Sequence, residues 1–413
     1  MKEVLEQICG LVWGKALVFL LLGTGAVCTL RLGFVQLRLF SGLRGELRRG
    51  RGKNGGLSQL KTVCLSLGAA MGTGNITGVA AALAAGGPGA VFWMWVSAFF
   101  GMALVFAENE LSVMFSEGGL RGPMAYLRKG LGSRALAGFF ALSCTLAAFG
   151  MGGMVQVSAV RDAMPDLPER AAFPLAIAVF AGILFVISGG AERSGQAAQI
   201  LLPAASLVYA VLCLAVILRF RERLPHVFGE ILRCAFGPKQ AAGGALGYTV
   251  SVGIRRGIFS NEAGLGSSPI LHSAAESGRP GQQGFWSMFE VFFDTVLCCT
   301  LTAVTLLCAG EASPGRAFSL IIGAAGEPLI CAETAVFAFC TVIGWHFCGE
   351  TAFRYLFGER FAPAARVIFA AAAASGILIS LETVWVLSDI FNALMAFPNL
   401  IGILLLSKRL KSE

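Results

Sequence analysis

The stretch GAAMGTGNITGVAAALAAGGPG, from Gly68 to Gly89, is apolar enough to cross a membrane. Its middle, MGTGN at residues 71–75, is built from residues that form helix poorly. A glycine in a helix interior costs about 1 kcal/mol relative to alanine, and each unsatisfied backbone group in hydrocarbon costs several kcal/mol more. Such an interruption therefore survives only where it lines a polar cavity inside the protein.

The composition of the whole chain indicates a membrane protein. Of its 413 residues, 56% are hydrophobic and only 14% are charged, against about 25% charged in soluble domains. The apolar residues fall into separate windows of roughly 20 residues, the length that crosses a bilayer. We expect no soluble domain between these windows. The net charge of +8 is interpreted as basic loops on one side of the membrane, not as a nucleic-acid-binding surface.

The twelve cysteines lie mostly within the apolar windows, which is typical of small buried hydrophobic residues. No spacing of cysteine and histidine predicts a zinc site or a disulfide framework. The first ten residues, MKEVLEQICG, carry two glutamates ahead of the first apolar run. We therefore expect a retained helix rather than a cleaved signal peptide.

Eleven apolar segments are predicted to be transmembrane helices, because an isolated strand cannot satisfy its backbone in lipid. The fold class is thus an all-α integral membrane protein. The approximate spans are 11–30, 57–85, 89–114, 135–161, 171–189, 197–220, 243–270, 284–309, 331–357, 363–380 and 384–407.

Basic residues in alternate loops orient these helices. They concentrate in residues 31–61, 121–134, 354–366 and 408–411, which we therefore place on the cytoplasmic side. One loop disobeys this rule, since the basic residues of 219–239 fall on the predicted outside. The cytoplasmic loops still hold more basic residues, so the prediction is an external N-terminus and a cytoplasmic C-terminus.

The segments divide into two nearly equal halves once residues 1–56, with one extra helix and a basic loop, are set aside. Residues 57–220 and 243–407 each hold five predicted helices. Because five is odd, the second half enters the membrane from the opposite side, which is the inverted repeat of many secondary transporters. Its first helix is also interrupted, by SNEAGLG at 260–266. Matching interruptions indicate a substrate site at mid-membrane, although such glycines also permit close helix packing.

A channel is the nearest alternative class of protein. It needs a continuous pore with a repeated filter, whereas two interruptions that meet at one point favour an occluded site. An enzyme is not expected, because the chain carries neither an HExxH nor a GxSxG motif.

At these motifs the chain resembles the alanine or glycine:cation symporters, the sodium:alanine symporter family of prokaryotes. The resemblance implies the fold of the leucine transporter, a five-plus-five inverted repeat, with one extra N-terminal helix. It also implies inward transport of a small neutral amino acid, alanine or glycine, together with sodium and without an organic cofactor. The motifs that carry it are GTGNITGVAAALAAGGPGAVFWMW (72–95), RGIFSNEAGLGSSPILHSAA (256–275), FEVFFDTVLCCTLTA (289–303), TVIGWHFCGE (341–350) and LSDIFNALMAFPNLIG (387–402).

The resemblance also sets the expected surroundings of the protein. We expect a monomer in the cytoplasmic (inner) membrane of a prokaryote, whose partners are the amino acid, sodium and the lipid bilayer. Alanine, glycine and serine are all open as substrates, and so is the handedness of the amino acid.

The residues expected to hold the substrate lie in the two interruptions. Free N–H groups at the end of a half-helix bind anions, so the first interruption is predicted to hold a carboxylate. Two interpretations of Glu262 in the second are open: it faces the substrate ammonium, or it caps a half-helix N-terminus. The predicted substrate residues in the two interruptions are Gly72, Thr73, Gly74, Asn75, Ser260, Asn261, Glu262, Gly264 and Gly266.

Gln156 and Trp345 complete the predicted substrate residues, and each also has a structural interpretation. On the family match Gln156 faces the helix bundle, where it either contacts substrate or forms a helix–helix hydrogen bond. Trp345 either forms the apolar lid of the pocket or anchors its helix at the membrane interface. The family pattern near Gln156 is close to GNMVQANS, whereas this chain has GGMVQVSA at 152–159.

Glu290 and Asp294 stand four positions apart and share one helical face. Ionisable residues at membrane depth are usually functional. The alternative is a buried scaffold network with the Arg255-Arg256 pair. The scaffold is favoured, because in the leucine-transporter fold this helix lies behind the site.

The resemblance places the sodium ion at backbone carbonyls around residues 69–72, with Ala69 and Gly72 as expected ligands, and at hydroxyls of the ninth span. Thr341 supplies one hydroxyl. The family usually has Ser-Thr here, but this chain has Cys340 where the second hydroxyl would be, and sulfur is a soft ligand for a hard cation. Sodium coupling is predicted, and proton coupling with Glu262 as carrier is the alternative.

Overall fold

The computed structural model of the chain is built of helices. It describes residues 2–48, 57–117, 119–164, 168–237, 247–275 and 281–410. Every named element within these ranges is helical, and two isolated β-bridges join single residues. Outside the described residues lie the start of the predicted segment 243–270 and the basic residues Arg49, Arg51, Lys53, Lys239 and Lys411.

Two helices of the first part of the chain begin at serine N-caps, since Ser58 and Ser133 each accept a backbone N–H of the first turn. The helix that follows Ser133 contains a π-helical segment, Ala148–Met154, which widens the turn locally. The helices of this part are α1 Lys2–Val12, α2 Lys15–Arg31, α3 Leu39–Arg48, α4 Gln59–Ala70, α5 Thr77–Gly86, α6 Gly89–Phe115, α7 Arg134–Asp162, α8 Glu169–Ile187, α9 Gly190–Arg219 and α10 Leu224–Ala235.

The second part of the chain is also built of helices, and its helix α13 contains a π-helical segment, Phe292–Cys299. Its helices are α11 Tyr248–Asn261, α12 Ser268–His272, α13 Gln282–Ala309, α14 Pro314–Ile322, α15 Gly326–Phe357, α16 Ala362–Ser375 and α17 Leu381–Leu406.

Eight helical stretches of the described chain are long and apolar enough to cross a membrane, so the chain is a multi-pass membrane protein. The predicted segments without a counterpart among these eight are 57–85, 243–270 and 363–380. The first two are interrupted helices, and the third is the 14-residue α16. The total of eleven spans, the division at residues 57–220 and 243–407, and the inverted repeat stay predictions.

Break 1, residues 71–76 between α4 and α5, interrupts its helix at the glycines noted above. α4 ends because Met71 leaves the helical region (φ −74°, ψ 73°) and Gly72 is extended (φ −107°, ψ −151°). A single 3₁₀ turn, Thr73–Asn75, follows before α5 begins. All six residues are buried, so their backbone groups need partners inside the protein.

Break 2, residues 262–267 between α11 and α12, turns through the left-handed region instead. Gly264 and Gly266 have φ of +85° and +83°, which glycine adopts without steric cost. Glu262 has φ of 57°, an uncommon conformation for a residue with a side chain. Break 2 is also buried throughout.

The packing of the long helices places both breaks in the interior of the protein. α6 packs along α11 and α13, and α4 packs against α9 and α15. The main apolar cluster includes Ala69 before break 1, Ala263 and Leu265 within break 2, and Trp345 of α15. The twelve cysteines are all described, none forms a disulfide, and all but Cys234 and Cys331 are buried, as predicted for small hydrophobic residues.

Candidate functional site at the two helix breaks

Gln156 of α7 binds the Thr73 amide of break 1. Its Oε1 accepts the Thr73 N–H at 3.1 Å and the Thr73 hydroxyl at 3.0 Å. Its Nε2 donates to the carbonyl of Met151 at 3.0 Å, within the π-helical segment where regular helical bonding is disturbed. Gln156 is buried, and its side chain joins α7 to break 1.

Asp294 of α13 links break 1 to the last turn of α11, just before break 2. Asn75 Nδ2 donates to Asp294 Oδ1 at 2.8 Å and to the Asp294 carbonyl at 3.1 Å. The same carboxylate accepts the Ser260 hydroxyl at 2.7 Å, from the last turn of α11. Gly74 also approaches α11 here, since a Cβ on Gly74 would lie 3.6 Å from the Ser260 Cα. Break 1 therefore meets the end of α11, two residues before break 2, at one buried point.

The expected partnership of the α13 carboxylates with two arginines is wrong. Arg255 Nε lies 3.6 Å and Arg256 Nη2 lies 4.0 Å from Asp389 Oδ2 of α17, and Arg256 stacks on the ring of Trp385 at 4.5 Å. Both arginines precede Ser260 by a turn or more, about 6–8 Å along the helix axis. At that level they meet α17, and Asp294 is left free to bind the breaks.

Glu262 of break 2 is bound within the protein. Its Oε1 accepts the indole N–H of Trp345 at 2.5 Å, and its Oε2 accepts the hydroxyl of Ser267 at 2.6 Å. Ser267 immediately precedes α12, so the carboxylate lies at the start of that helix through a hydroxyl rather than a backbone N–H. Trp345 is fully buried, which is incompatible with an interfacial anchor.

Asn399 of α17 is a site residue that the sequence analysis missed. Its Nδ2 donates to Glu108 Oε1 at 2.6 Å and to the carbonyl of Gly264 at 2.9 Å, and its Oδ1 accepts the hydroxyl of Tyr126. Glu108 of α6 is completely buried. The sequence signal for this site was Glu108, an ionisable residue within an apolar span, which needs a polar partner.

The side chain of Asn261, the last residue of α11, also binds the backbone of break 2. Its Oδ1 accepts the Ala263 N–H at 3.0 Å, and its Nδ2 donates to the Thr295 hydroxyl at 3.2 Å. At Gly266 a Cβ would lie 2.6 Å from the Cγ of Pro123. These contacts fix the course of the chain between α11 and α12.

Glu290 pairs with a histidine that the sequence analysis set aside. Nε2 of His272 lies 3.0 Å from Glu290 Oε1, and its Nδ1 lies 2.6 Å from Gln283 Oε1. Both side chains are buried. The three histidines are far apart in sequence and gave no indication of this pair. The sequence signal was Glu290, a carboxylate at membrane depth that needs a polar partner.

α4 and Leu57, two residues before it, are tied to the segment that follows α12 and to α13. The Leu57 N–H donates to the carbonyl of Ala274 at 2.8 Å. Gln59 and Gln283 exchange amide hydrogen bonds of 2.9 and 3.2 Å. Ser66 of α4 donates to the Glu290 carboxylate at 2.7 Å. This tie closes one side of the two interrupted helices.

The residues expected to hold a cation lie at the end of α4. Thr341 Oγ1 donates to the carbonyl of Gly68 at 2.9 Å. A Cβ on Gly72 would lie only 2.5 Å from the same Thr341 Oγ1. Cys340 is buried against Gly68. In a continuous helix the Thr73 N–H would donate to the Ala69 carbonyl, but here it donates to Gln156. In the described chain no other N–H donates to the Ala69 carbonyl.

Two interrupted helices that meet among apolar membrane helices, with backbone groups released from regular helical bonding, define a secondary transporter. The model of the sodium:alanine symporter family matches residues 1–413. The chain is 37% identical to the sodium/alanine symporter AgcS of Methanococcus maripaludis, over 100% of this chain and 96% of that protein.

Two further relatives show the same extent of similarity. An uncharacterized transporter of Haemophilus influenzae is 39% identical, over 100% of this chain and 95% of its own length. The probable sodium/glutamine symporter GlnT of Bacillus subtilis is 36% identical, over 99% and 90%. The chain therefore belongs to the sodium:alanine symporter family, whose members are transporters and not enzymes, and it is a cation-coupled amino-acid symporter.

Proposed function

We propose that the chain is a sodium-coupled symporter that carries alanine or glycine into the cell by alternating access. The observation that carries this proposal is that break 1 keeps unpaired backbone groups of both polarities next to break 2. In the described chain the Gly74 N–H donates to no acceptor, and the Ala69 carbonyl accepts from no donor. A zwitterionic substrate and a cation need such groups.

The substrate carboxylate is assigned to the amides of break 1. The unpaired N–H of Gly74 lies in this segment, and α5 begins three residues later at Thr77. An anion near Gly74 therefore also meets the positive end of the α5 dipole. The Asp294 carboxylate, which already links Asn75 and Ser260, supplies negative charge for the ammonium.

The pocket is proposed to be small. The ring of Phe259 lies 3.3 Å from the Cβ position of Gly74, and the side chain of Trp345 packs directly against Gly152. Alanine, glycine and serine are expected to compete for this space, and leucine is not. Glutamine belongs in the same competition series, because one relative is named as a probable sodium/glutamine symporter.

The cation is proposed to be sodium, held by the Ala69 carbonyl and the Thr341 hydroxyl. Carbonyl and hydroxyl oxygens are hard ligands that suit a hard cation, whereas the thiol of Cys340 is soft. Proton coupling is the second candidate. It is favoured by Glu262, a buried carboxylate bound only to a hydroxyl and an indole N–H.

Alternating access requires the tie of α4 to the segment after α12 and to α13 to open. In the proposed orientation, with the N-terminus outside the cell and the C-terminus in the cytoplasm, this tie closes the cytoplasmic side. The Leu57–Ala274 and Gln59–Gln283 hydrogen bonds are then the contacts that separate before release. The arrangement is proposed for the inner membrane of a prokaryote, with a monomer as the transporting unit.

The proposal is tested with the purified full-length chain in proteoliposomes, by uptake of labelled alanine under separately imposed sodium and proton gradients. We expect uptake that depends on sodium and is lost in Thr341→Val. The matched control is Thr351→Val on the same helix, whose hydroxyl bonds only the carbonyl of Phe347 one turn earlier, and which should keep uptake.

Three outcomes contradict parts of the proposal. Uptake that ignores sodium and follows the pH gradient replaces sodium with a proton. Competition by leucine as strong as that by unlabelled alanine contradicts the small pocket. Sodium-driven uptake that Thr341→Val leaves intact moves the cation away from the end of α4.

A further inference from the structure

A cleft of about 470 Å³ opens on the outer surface of the helix bundle, between α7, α8 and α15. Its walls are apolar and include Val157 of α7, Gly182 of α8 and Val342 of α15. Arg161, in the last turn of α7, is the one charged residue among the described residues that line it. The cleft shares no lining residue with either break.

One N–H donor of the Arg161 guanidinium lacks a partner in the described chain. This donor is Nε, which is buried. The described acidic residues nearest in sequence, Asp162 and Glu169, are exposed. A buried, unpaired N–H donor on a permanent charge is costly, so the geometry favours an anion at this end of the cleft.

The cleft has the layout of a lipid rather than of a soluble ligand. It runs along α8 from Leu175 to Phe185, about 15 Å of helix, and only 22% of the apolar window of α8 is buried inside the protein. A charge at a helix end, with an apolar channel beneath it, matches a phosphate at the membrane interface and an acyl chain in the hydrocarbon.

We propose that this cleft binds an anionic phospholipid, with an acyl chain along its apolar walls and the phosphate on Arg161. The bound lipid would also contact the helices that carry the transport site. Val157 follows Gln156 on α7, and Val342 follows Thr341 on α15. An occupant of the cleft thus contacts both helices at residues adjacent to Gln156 and Thr341, about 100° around each helix from them. The proposal does not depend on which substrate or cation is transported.

The test uses native mass spectrometry of the purified full-length chain with phosphatidylglycerol or phosphatidylcholine of identical acyl chains. We expect one phosphatidylglycerol to bind in preference to phosphatidylcholine. Arg161→Gln should weaken phosphatidylglycerol binding about tenfold, since it removes a charge-assisted contact. Arg170→Gln, which removes an exposed arginine at the start of α8, is the matched control and should have no effect.

A second pair of variants tests the apolar part of the cleft without touching charge. A Cβ on Gly182 would meet nothing within 4 Å, so Gly182→Leu fills the cleft without disturbing the backbone and should also weaken lipid binding. Gly138→Leu is the control, because a Cβ on this α7 glycine outside the cleft likewise meets nothing within 4 Å.

Several results would overturn the proposal. Phosphatidylglycerol binding that survives both Arg161→Gln and Gly182→Leu places the lipid elsewhere. Equal binding of both lipids, unchanged by Arg161→Gln, rules out the phosphate contact. A change of oligomeric mass in Gly182→Leu, with lipid binding intact, shows that the cleft is instead an interface between two copies of the chain.

Discussion

Break 1 and break 2 interrupt helices of similar glycine-rich composition, yet their backbones are satisfied in opposite ways. Break 1 contains no residue with positive φ; Gln156 binds its backbone at Thr73, and Asp294 binds the side chain of its Asn75. Break 2 turns through three left-handed residues and is surrounded by two buried carboxylates, Glu262 and Glu108.

The difference lies in which backbone groups stay available. In break 2 the Ala263 N–H is bound by Asn261, the Leu265 N–H by the Glu262 carbonyl, and the Gly264 carbonyl by Asn399. In break 1 the Gly74 N–H has no partner within the described chain. Glycine content thus marks where a helix is interrupted, and the surrounding side chains decide which backbone groups of the interruption are paired.

The largest expected effect comes from Gly72→Ala in break 1. The added Cβ would lie 2.5 Å from Thr341 Oγ1 and 2.7 Å from Gln156 Oε1, so it displaces both side chains that shape the break. We expect alanine affinity, measured by isothermal titration calorimetry on purified protein, to fall about 100-fold or roughly 2.8 kcal/mol. The fold should be retained, because the crowded atoms belong to side chains.

The matched control for this prediction is Gly78→Ala on α5, where a Cβ meets nothing within 4 Å. It should leave alanine affinity unchanged. Near-normal alanine binding by Gly72→Ala would mean that break 1 is a structural interruption and that the ligand lies elsewhere.

The middle prediction concerns Gly266→Ala, which tests whether break 2 is a frame. Its φ of +83° costs an L-residue about 1–2 kcal/mol, and the Cβ would lie 2.6 Å from the Cγ of Pro123. We expect a lower melting temperature by scanning fluorimetry, corresponding to about 2–3 kcal/mol of lost stability. The folded fraction should bind alanine with near-normal affinity.

Gly87→Ala separates the two causes of this destabilisation. Gly87 has φ of +67°, but a Cβ there meets nothing within 4 Å, so the variant carries the conformational cost alone. Its melting temperature should fall less than that of Gly266→Ala. If Gly266→Ala instead lost alanine binding and kept its melting temperature, break 2 would be a ligand site, as is proposed for break 1.

The sequence predicted what depends on local composition. Apolar windows predict membrane helices, and a helix-weak run within such a window predicts an interruption, as at Gly72 and Gly264. The resemblance alone pointed to residue 341 as a partner of the first interruption, and Thr341 does lie against Gly68. That relation crosses 273 positions and has no local signal.

Side-chain pairing was the part that the sequence could not supply. Asp294 was predicted to lie behind the site but joins Asn75, 219 positions away, and the two arginines pair with Asp389 instead. Periodicity indicates which residues share a helical face, but it does not indicate which other segment of the chain packs against that face. The rotation of α13 against break 1 depends on packing along the whole helix, including its π-helical segment.

The smallest expected effect comes from Cys340→Ser, which examines the cation end of break 1. Cys340 is buried beside Gly68, the residue whose carbonyl accepts the Thr341 hydroxyl. Serine replaces a soft sulfur with a hard oxygen at nearly the same volume. The sodium concentration for half-maximal alanine uptake should therefore fall about threefold, which is less than 1 kcal/mol.

Cys331→Ser, at a half-buried position of the same helix, is the control and should leave the sodium dependence of uptake unchanged. The comparison between Cys340→Ser and Thr341→Val then defines the extent of the cation site. If Thr341→Val abolishes sodium-driven uptake while Cys340→Ser has no effect, the ligands are limited to Thr341 and the α4 carbonyls. Break 1 would then bind its cation mainly through backbone released from the helix, and the loss of the second hydroxyl in this chain would be without consequence for coupling.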